Sequence, residues 1–174
     1  MKECAKLLTI SFFDKAGIII SEKEKEDIEV ADFGLNDLMS TGLQLVVYIN
    51  SKRTCSKEMV LFPGQTCPEH KHPSLNGQSG KEETFRCRWG TVYLYVPGEP
   101  AGKPTCKHPS GLYTVQKEIV LKPGEQFTIK PETLHWFQAG PEGAVVSEFS
   151  TSSHDESDIF TDPSILRAPE VSGK

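Results

Sequence analysis

The strongest constraint on the fold of this chain is a series of short, β-type segments that follow one another from Gly42 to Ser150. Seven such runs are rich in β-branched and aromatic residues, and turn-forming stretches such as PGQTCPEH, PGEPAGKP and GPEG separate them. Strands this short and this closely spaced pack as a sandwich or a barrel. The sequence therefore predicts an all-β fold, with strands in LQLVVYIN, TCSKEMVLF, TFRCRWGTVYLYV, LYTVQKEIVL, EQFTI, LHWFQA and AVVSEFS.

The segment that precedes these strands has a helical pattern. Apolar residues within 3–15 recur at helical spacing, which predicts a short amphipathic helix. Ser21 followed by Glu24 has the form of a capping box and predicts a second short helix. With 174 residues the chain has the length of one domain. We expect a single domain with a helical segment at 1–32, a β-barrel core at 33–150 and a covering segment at 151–174.

Charge and apolar content exclude two classes of partner. The chain has 19 Lys and Arg against 24 Asp and Glu, so its net charge is −5. This balance argues against binding to nucleic acid or to anionic lipid. No apolar run approaches the about 20 residues that a membrane span needs. Five cysteines, an odd number with none spaced as C-x-x-C, favour free thiols in a reducing cytoplasm.

Three histidines and one glutamate form the most informative pattern in the chain. His70 and His72 are separated by one residue, Glu83 follows after a gap of ten residues, and His135 comes later. Three imidazoles and one carboxylate are a complete set of protein ligands for a divalent transition metal. On an extended chain the two histidines of His-x-His lie on the same face, because side chains alternate with a period of two.

The same alternation predicts that the later ligands point inward. Glu83 shares its face with the apolar Phe85 and Trp89, and His135 shares its face with Phe137. Four candidate ligands therefore point inward from separate β elements, as a metal site inside a small barrel requires.

These residues also carry a resemblance to a known superfamily. The candidate ligands and the glycines that flank them follow one another in the order Gly64, His70, His72, Glu83, Gly90, His135. This pattern resembles the two signature motifs of the cupins, although the gap before Glu83 is longer than in most cupins. The strings GKEETFRCRWGTVYLYVPGE, LHWFQAGPEGAVVSEFST and DIFTDP resemble the D-lyxose isomerase family, in its shorter bacterial form. This second resemblance covers the chain from about residue 30 to residue 167.

The resemblance implies both a fold and a function. It implies a cupin barrel or jelly roll, a homodimer, and a divalent ion of the manganese type. The implied reaction interconverts D-lyxose and D-xylulose, with D-mannose and D-fructose as a companion pair. Cobalt, iron and zinc suit the same nitrogen and oxygen donors, so the sequence does not select the metal.

An isomerase of this kind also needs a carboxylate that is close to the metal and not bound to it, to carry the carbon-bound proton. Glu148 is the first candidate, because it alternates with the apolar Ala144 and Val146, and the resemblance supports it too. Asp158 is a second candidate, either as a partner of a substrate hydroxyl or as a turn residue. Glu82 is expected to point outward beside its neighbour.

Further candidates are expected to contact the substrate. Lys57 shares a strand face with apolar residues, so it either reaches the site or extends to the barrel rim. Lys81 precedes the predicted ligand strand and is a candidate substrate contact. Trp136 and Phe137 are expected either as walls of the sugar site or as core residues.

Three other functions fit the same metal ligands. An iron-dependent cupin oxygenase would use the same three histidines and glutamate, and fold alone does not decide between them. A sugar-binding cupin without turnover would need no free acid, so Glu148 argues against it. A phosphosugar isomerase would need cationic groups at the site, but alternation places Arg86 and Arg88 on the outer face.

Overall fold

The fold is taken from a computed structural model that describes residues 2–106 and 112–167. Both N-terminal helices are present, and Ser21 and Glu24 form the predicted capping box. The bounds of the elements are α1 (Lys2–Ala16), α2 (Glu22–Glu26), β1 (Glu29–Ala31), β2 (Leu43–Asn50), β3 (Cys55–Leu61), β4 (Thr66–Lys71), β5 (Glu83–Val96), β6 (Lys117–Leu121), β7 (Gln126–Ile129), β8 (His135–Ser150), a single 3-10 turn (Asp155–Ser157) and β9 (Ile159–Phe160).

The strands form one curled antiparallel sheet that is organised around β8. This long strand pairs with β3, β4 and β5, while β5 also pairs with β6 and β7. The outer strands follow in the order β1-β2-β3 on one side and β4-β9 on the other. The predicted all-β class with short N-terminal helices is therefore confirmed. Neither helix in the described part of the chain is both long and apolar enough to cross a membrane.

The stretch GPEG is not a turn between two strands, as the sequence predicted, but a bulge inside β8. Gly90 of β5 lies opposite Ala144, and Val92 lies opposite Ala139, so four residues of β8 oppose a single residue of β5. Glycine is required at this bulge: a Cβ on Gly90, whose φ is 73°, would lie 2.1 Å from the carbonyl oxygen of Gly143. The bulge interrupts the ladder with β5 and separates the half of β8 that carries His135 from the half that carries Glu148.

The stretch PGQTCPEH, also predicted as a turn, contains strand β4. Cys67 pairs with Phe137 and His70 pairs with His135, with a break in the register between them. The break falls at Pro68, which has no N–H to donate to a ladder, and this is why the local sequence pattern hides the strand. The pairing brings two of the predicted metal ligands directly opposite each other.

Strand β6 begins at Lys117, five residues later than the sequence predicted. The reason is the fully buried carboxylate of Glu69, which accepts hydrogen bonds from the backbone N–H groups of Thr114 (2.7 Å) and Val115 (2.9 Å). It also accepts from the hydroxyls of Thr114 and Thr161. Glu69 thereby ties the loop before β6 and the C-terminal segment to β4, next to a predicted ligand.

The sheet has two apolar faces. The inner face encloses a core that includes Met59, Phe85 and Phe137, and the outer face packs against α1 through Phe12 and Phe13. Trp89 belongs to the outer face, although alternation placed it inward. The register shifts between residues 87 and 89 of β5, and the shift brings the Trp89 ring to 5.5 Å from that of Phe12. The metal ligands remain on the inner face.

Candidate metal centre and active site

Three histidines meet at one end of the barrel interior. His70 lies near the end of β4, His72 follows that strand directly, and His135 is the first residue of β8. All three are buried, and each offers a ring nitrogen within 4.8 Å of those of the other two. The ring centroids of His70 and His135 are 4.3 Å apart. The predicted convergence of the histidines is therefore present in the structure.

Two of these histidines are oriented by backbone carbonyls. Nδ1 of His70 lies 2.7 Å from the carbonyl oxygen of Pro68, and Nδ1 of His135 lies 3.0 Å from that of Thr133. A carbonyl oxygen only accepts, so we assign the ring proton to Nδ1 in both residues. Nε2 then carries a free lone pair, which is the form of histidine that binds a metal.

His72 is oriented by a carboxylate. Its Nδ1 lies 2.5 Å from Oδ1 of Asp158, which comes from the segment just before β9. A carboxylate behind a ligating imidazole fixes the ring orientation and increases the basicity of the ligating nitrogen. Asp158, predicted as a partner of the substrate or as a turn residue, thus contacts a predicted metal ligand.

Glu83 completes the donor set. Its Oε1 lies 3.0 Å from Nε2 of His72 and 3.0 Å from Nε2 of His135. Nε2 of His135 is buried and, within the described residues, has no hydrogen-bond partner of adequate geometry. A lone pair and a carboxylate oxygen are both acceptors, so their close approach in a buried site calls for a cation. These three imidazoles and one carboxylate fit a divalent transition metal.

The charges of the site favour a negative Glu83. Burial acts to raise the pKa of its carboxyl, but Lys81 and His72 hold that pKa well below the usual range. Burial acts to lower the pKa of His72, but the Glu83 and Asp158 carboxylates together outweigh it and raise the pKa to about 9. Burial lowers the pKa of His70 well below its usual value, and the other two imidazoles lower it further. His70 is therefore neutral at physiological pH, the form that binds a metal, whereas His72 must release a proton when a metal binds.

Glu148 lies beside the metal donors and contacts none of the three histidines. It is buried on β8, directly opposite Lys57 of β3. Its Oε1 lies 3.2 Å from Nζ of Lys81 and accepts a hydrogen bond of 3.0 Å from the hydroxyl of Ser150. Its Oε2 has no partner among the described residues. A buried carboxylate with one uncommitted oxygen is suited to accept a proton.

Two buried lysines flank this acid. Nζ of Lys81 lies 2.9 Å from Glu83 and so bridges the metal donors to Glu148, while Nζ of Lys57 lies 3.8 Å from Glu148. Burial acts to lower the pKa of Lys57, but Glu148 and Asp155 raise it above the usual value. Both lysines are therefore positively charged hydrogen-bond donors at neutral pH.

Most of the predicted site residues line one cavity, but the fully buried His135 and Trp136 are not among its lining residues. Phe137 lines the cavity, whereas Trp136 is on the opposite face of β8, stacked on Tyr95 at a centroid distance of 3.9 Å. Its indole N–H donates to the carbonyl oxygen of Val115. Trp136 is therefore a core residue, the second of the two roles that the sequence left open for it. Glu82 is exposed, as alternation predicted.

Sequence reasoning missed three residues of the C-terminal segment. Asp155 lies within contact distance of both lysines, Ser153 accepts a hydrogen bond from Lys57, and Arg167 lies 3.6 Å from Asp155. They lie in polar, irregular chain with no periodicity that would assign them a face. Only the path of the chain back across the barrel mouth brings them to the site.

The cavity has an inner and an outer part. The inner part at the metal donors measures about 30 Å³, and an outer chamber of about 520 Å³ adjoins it. His72, Lys81 and Asp158 line both parts. The loop at 73–80, which is the long insert before Glu83, forms one wall of the chamber. The chamber is large enough for a monosaccharide and opens directly onto the buried charges.

The contact between Asp158 and His72 predicts the effect of a conservative substitution. We expect Asp158→Asn to weaken Mn²⁺ binding about 10- to 100-fold, because the amide orients His72 less firmly and makes Nε2 less basic. Isothermal titration of the metal-stripped protein with Mn²⁺ measures this change. Asp162→Asn is the control, since this carboxylate in the same segment bonds only Ser164. Equal affinities for the two variants would contradict the orienting role.

Comparison with solved structures identifies the fold. The chain is similar to the L-ribose isomerase of Cellulomonas parahominis, with a TM-score of 0.70 at 16% identity over 91% of this chain and 90% of the other. It is also similar to the L-ribose isomerase of Acinetobacter sp. DL28, with a TM-score of 0.69 at 16% identity over 90% and 89% of the two chains. The predicted cupin fold is confirmed.

Comparison of sequences identifies the family. A family model for D-lyxose isomerase matches residues 109–173. The D-lyxose/D-mannose isomerase of Thermosediminibacter oceani is 67% identical over 90% of this chain and 88% of the relative. The D-lyxose ketol-isomerase of Thermofilum sp. is 57% identical over 96% and 94% of the two chains, and that of Cohnella laeviribosi is 61% identical over 91% and 89%. At such identity over most of both chains, this protein belongs to the D-lyxose isomerase family.

Proposed function

We propose that this chain is a metal-dependent aldose–ketose isomerase that interconverts D-lyxose and D-xylulose, with D-mannose and D-fructose as a second pair. The names of the relatives support the substrates, since one is a D-lyxose/D-mannose isomerase. The observation that carries the reaction type is Glu148, a buried carboxylate held beside the three-histidine centre with one oxygen uncommitted.

The proposed reaction moves two protons. One moves from C2 to C1 of the open-chain sugar, and the other moves from the C2 hydroxyl to the oxygen on C1. His70, His72, His135 and Glu83 would hold the metal, which supplies a Lewis acid and a template for the two sugar oxygens. The surrounding side chains then carry out the proton transfers.

Glu148 is the proposed base for the carbon-bound proton. It takes the proton from C2, which leaves a cis-enediolate, and returns it to C1, which completes the ketose. Lys57 and Lys81 donate hydrogen bonds to the sugar oxygens and balance the charge of the enediolate. Asp158 acts behind His72 as a positioning residue and does not act as the base.

The metal is proposed to be manganese. Imidazole nitrogens and a carboxylate suit Mn²⁺, and they also suit cobalt, iron and zinc. Reconstitution of the metal-stripped protein with each ion in turn distinguishes them by activity.

The outer face of the sheet offers no support for a phosphosugar substrate. Arg86 donates to Gln126 and Arg88 donates to Ser147, both on the face that points away from the metal donors. The predicted outward orientation of these arginines agrees with their contacts. The cationic groups that line the cavity, Lys57, Lys81 and Arg167, are each paired with a carboxylate, so a neutral sugar is the proposed substrate.

We also propose a cytoplasmic homodimer. Beyond Leu45, strand β2 has a partner on only one side among the described strands, and Val47, Tyr48 and Ile49 on this stretch are exposed. An open edge with apolar side chains favours pairing with a second copy. All five cysteines are free, which suits a reducing compartment. Light scattering should give twice the chain mass of 19.3 kDa, and a monomer would exclude the dimer.

Proton NMR in heavy water tests the proposed reaction. The metal-stripped protein is mixed with D-lyxose, and spectra are recorded before and after addition of Mn²⁺. We expect D-xylulose to form only with metal, together with some loss of the C2 proton signal of D-lyxose as deuterium enters the recovered sugar. If neither ketose nor exchange appears with D-lyxose or D-mannose, the isomerase function is wrong. Oxygen uptake by the iron-loaded protein would then test the cupin oxygenase.

A single substitution tests the proposed base. Glu148→Gln should lower the rate of ketose formation about 10²- to 10⁴-fold, because the amide cannot accept the carbon-bound proton. Mn²⁺ affinity should stay unchanged, since Glu148 is not among the metal donors. Glu82→Gln, an exposed glutamate one residue before Glu83, is the matched control and should retain full activity. Retention of exchange at C2 by Glu148→Gln would assign the base to another residue.

A further inference from the structure

Asp155 contacts more of the charged side chains of the cavity than any other single carboxylate described above, and it lies within 4.8 Å of His72 and Asp158. Its carboxylate lies 2.5 Å from Nζ of Lys57, 3.4 Å from Nζ of Lys81 and 3.6 Å from Nη2 of Arg167. It also accepts a hydrogen bond of 2.5 Å from the hydroxyl of Ser153. Two of these partners are the lysines that flank Glu148, so one carboxylate fixes both of them.

Each lysine also faces a second carboxylate, and Lys81 lies closer to that carboxylate than to Asp155. Lys81 lies 2.9 Å from Glu83, and Lys57 lies 3.8 Å from Glu148, outside hydrogen-bond distance. Two buried ammonium groups repel each other, and this repulsion is strong where the surroundings have a low dielectric constant. Asp155 offsets the repulsion and leaves Oε2 of Glu148 uncommitted.

We propose that Asp155 is a positioning residue for isomerisation: by holding Lys57 and Lys81 together, it directs both ammonium groups to the two sugar oxygens. This inference rests on the proposed isomerase function. The lysines act on the proton that moves between oxygens, and Glu148 acts on the proton that moves between carbons. Loss of Asp155 therefore impairs the first transfer more than the second.

A purely structural role for Asp155 is a weaker explanation, because the segment has other anchors. The side chain of Asn50 donates to the carbonyl oxygen of Ser153 at 2.9 Å and accepts from its N–H at 3.1 Å. The N–H of Thr151 donates to the carbonyl oxygen of Glu82 at 3.0 Å. These bonds hold the segment to β2 and to the start of β5 without any contribution from Asp155.

The test compares two rates in the Mn²⁺-loaded protein with D-lyxose in heavy water. One is the rate of D-xylulose formation, and the other is the rate at which deuterium enters C2 of the recovered D-lyxose. For Asp155→Asn we expect ketose formation to fall about 100-fold and the ratio of exchange to conversion to rise about tenfold. A loss of folded protein lowers both rates by one factor and leaves this ratio unchanged.

Two further variants complete the test. Glu156→Gln is the matched control, because Glu156 is in the same turn, is exposed and contacts His154; both of its rates should equal those of the wild type. Ser153→Ala removes a neutral partner of both Asp155 and Lys57, so the ratio should shift in the same direction by a smaller factor. This variant decides the question if Asp155→Asn does not fold.

The outcomes separate the two proposals. An unchanged ratio in Asp155→Asn, or in Ser153→Ala where the former does not fold, overturns the positioning role while leaving the isomerase function intact. Absence of conversion by the wild-type protein refutes the isomerase function itself. A raised ratio in Asp155→Asn, with normal rates in Glu156→Gln, supports the proposed role.

Discussion

The buried carboxylate of Glu83 is the interaction on which the rest of the site depends. One of its oxygens faces the ring nitrogens of His72 and His135, and the other lies 2.9 Å from Lys81. A carboxylate with so little exposure is stable only if cations or donors surround it. Glu83 therefore requires a positive group on each side, and we propose that these groups are a metal ion and Lys81.

Long strands with local irregularities bring these groups together at the site. Strand β8 begins at His135 and carries Glu148 near its other end. Both residues reach the pair formed by Glu83 and Lys81, so β8 bends back between them, at the bulge that contains Gly143. The break at Pro68 in β4 sets His70 opposite His135. Residues distant in sequence thus reach one end of the barrel, and the segment after β8 returns across the mouth with Asp155 and further partners.

Alternation along strands explains which parts of the site could be predicted from sequence. His70, His72, Glu83 and His135 were assigned inward because each lies in extended chain, where a residue two positions away shares the same face. The same rule predicted that Glu148 points inward. These assignments required no knowledge of which strands pair.

The failures of prediction also have physical causes. Trp89 is on the outer face because a register shift in β5 reverses the alternation at that point. Strand β4 was hidden by Pro68, and the late start of β6 depends on Glu69, whose partners are far apart in sequence. Asp155 is in irregular chain, and only the tertiary path gives it a role. Local pattern therefore predicts the ligands and does not predict the residues that hold the surrounding charges.

The most direct test of this account is a titration of Glu83→Gln with Mn²⁺, followed by assay of D-lyxose conversion at saturating metal. The account predicts that affinity falls by more than about 100-fold, beyond the cost of losing a partner outside the coordination shell. It also predicts that saturating metal does not restore turnover, because Lys81 has lost the charge that holds it between Glu83 and Glu148. Wild-type turnover of this variant at high Mn²⁺ would contradict the dual role of Glu83.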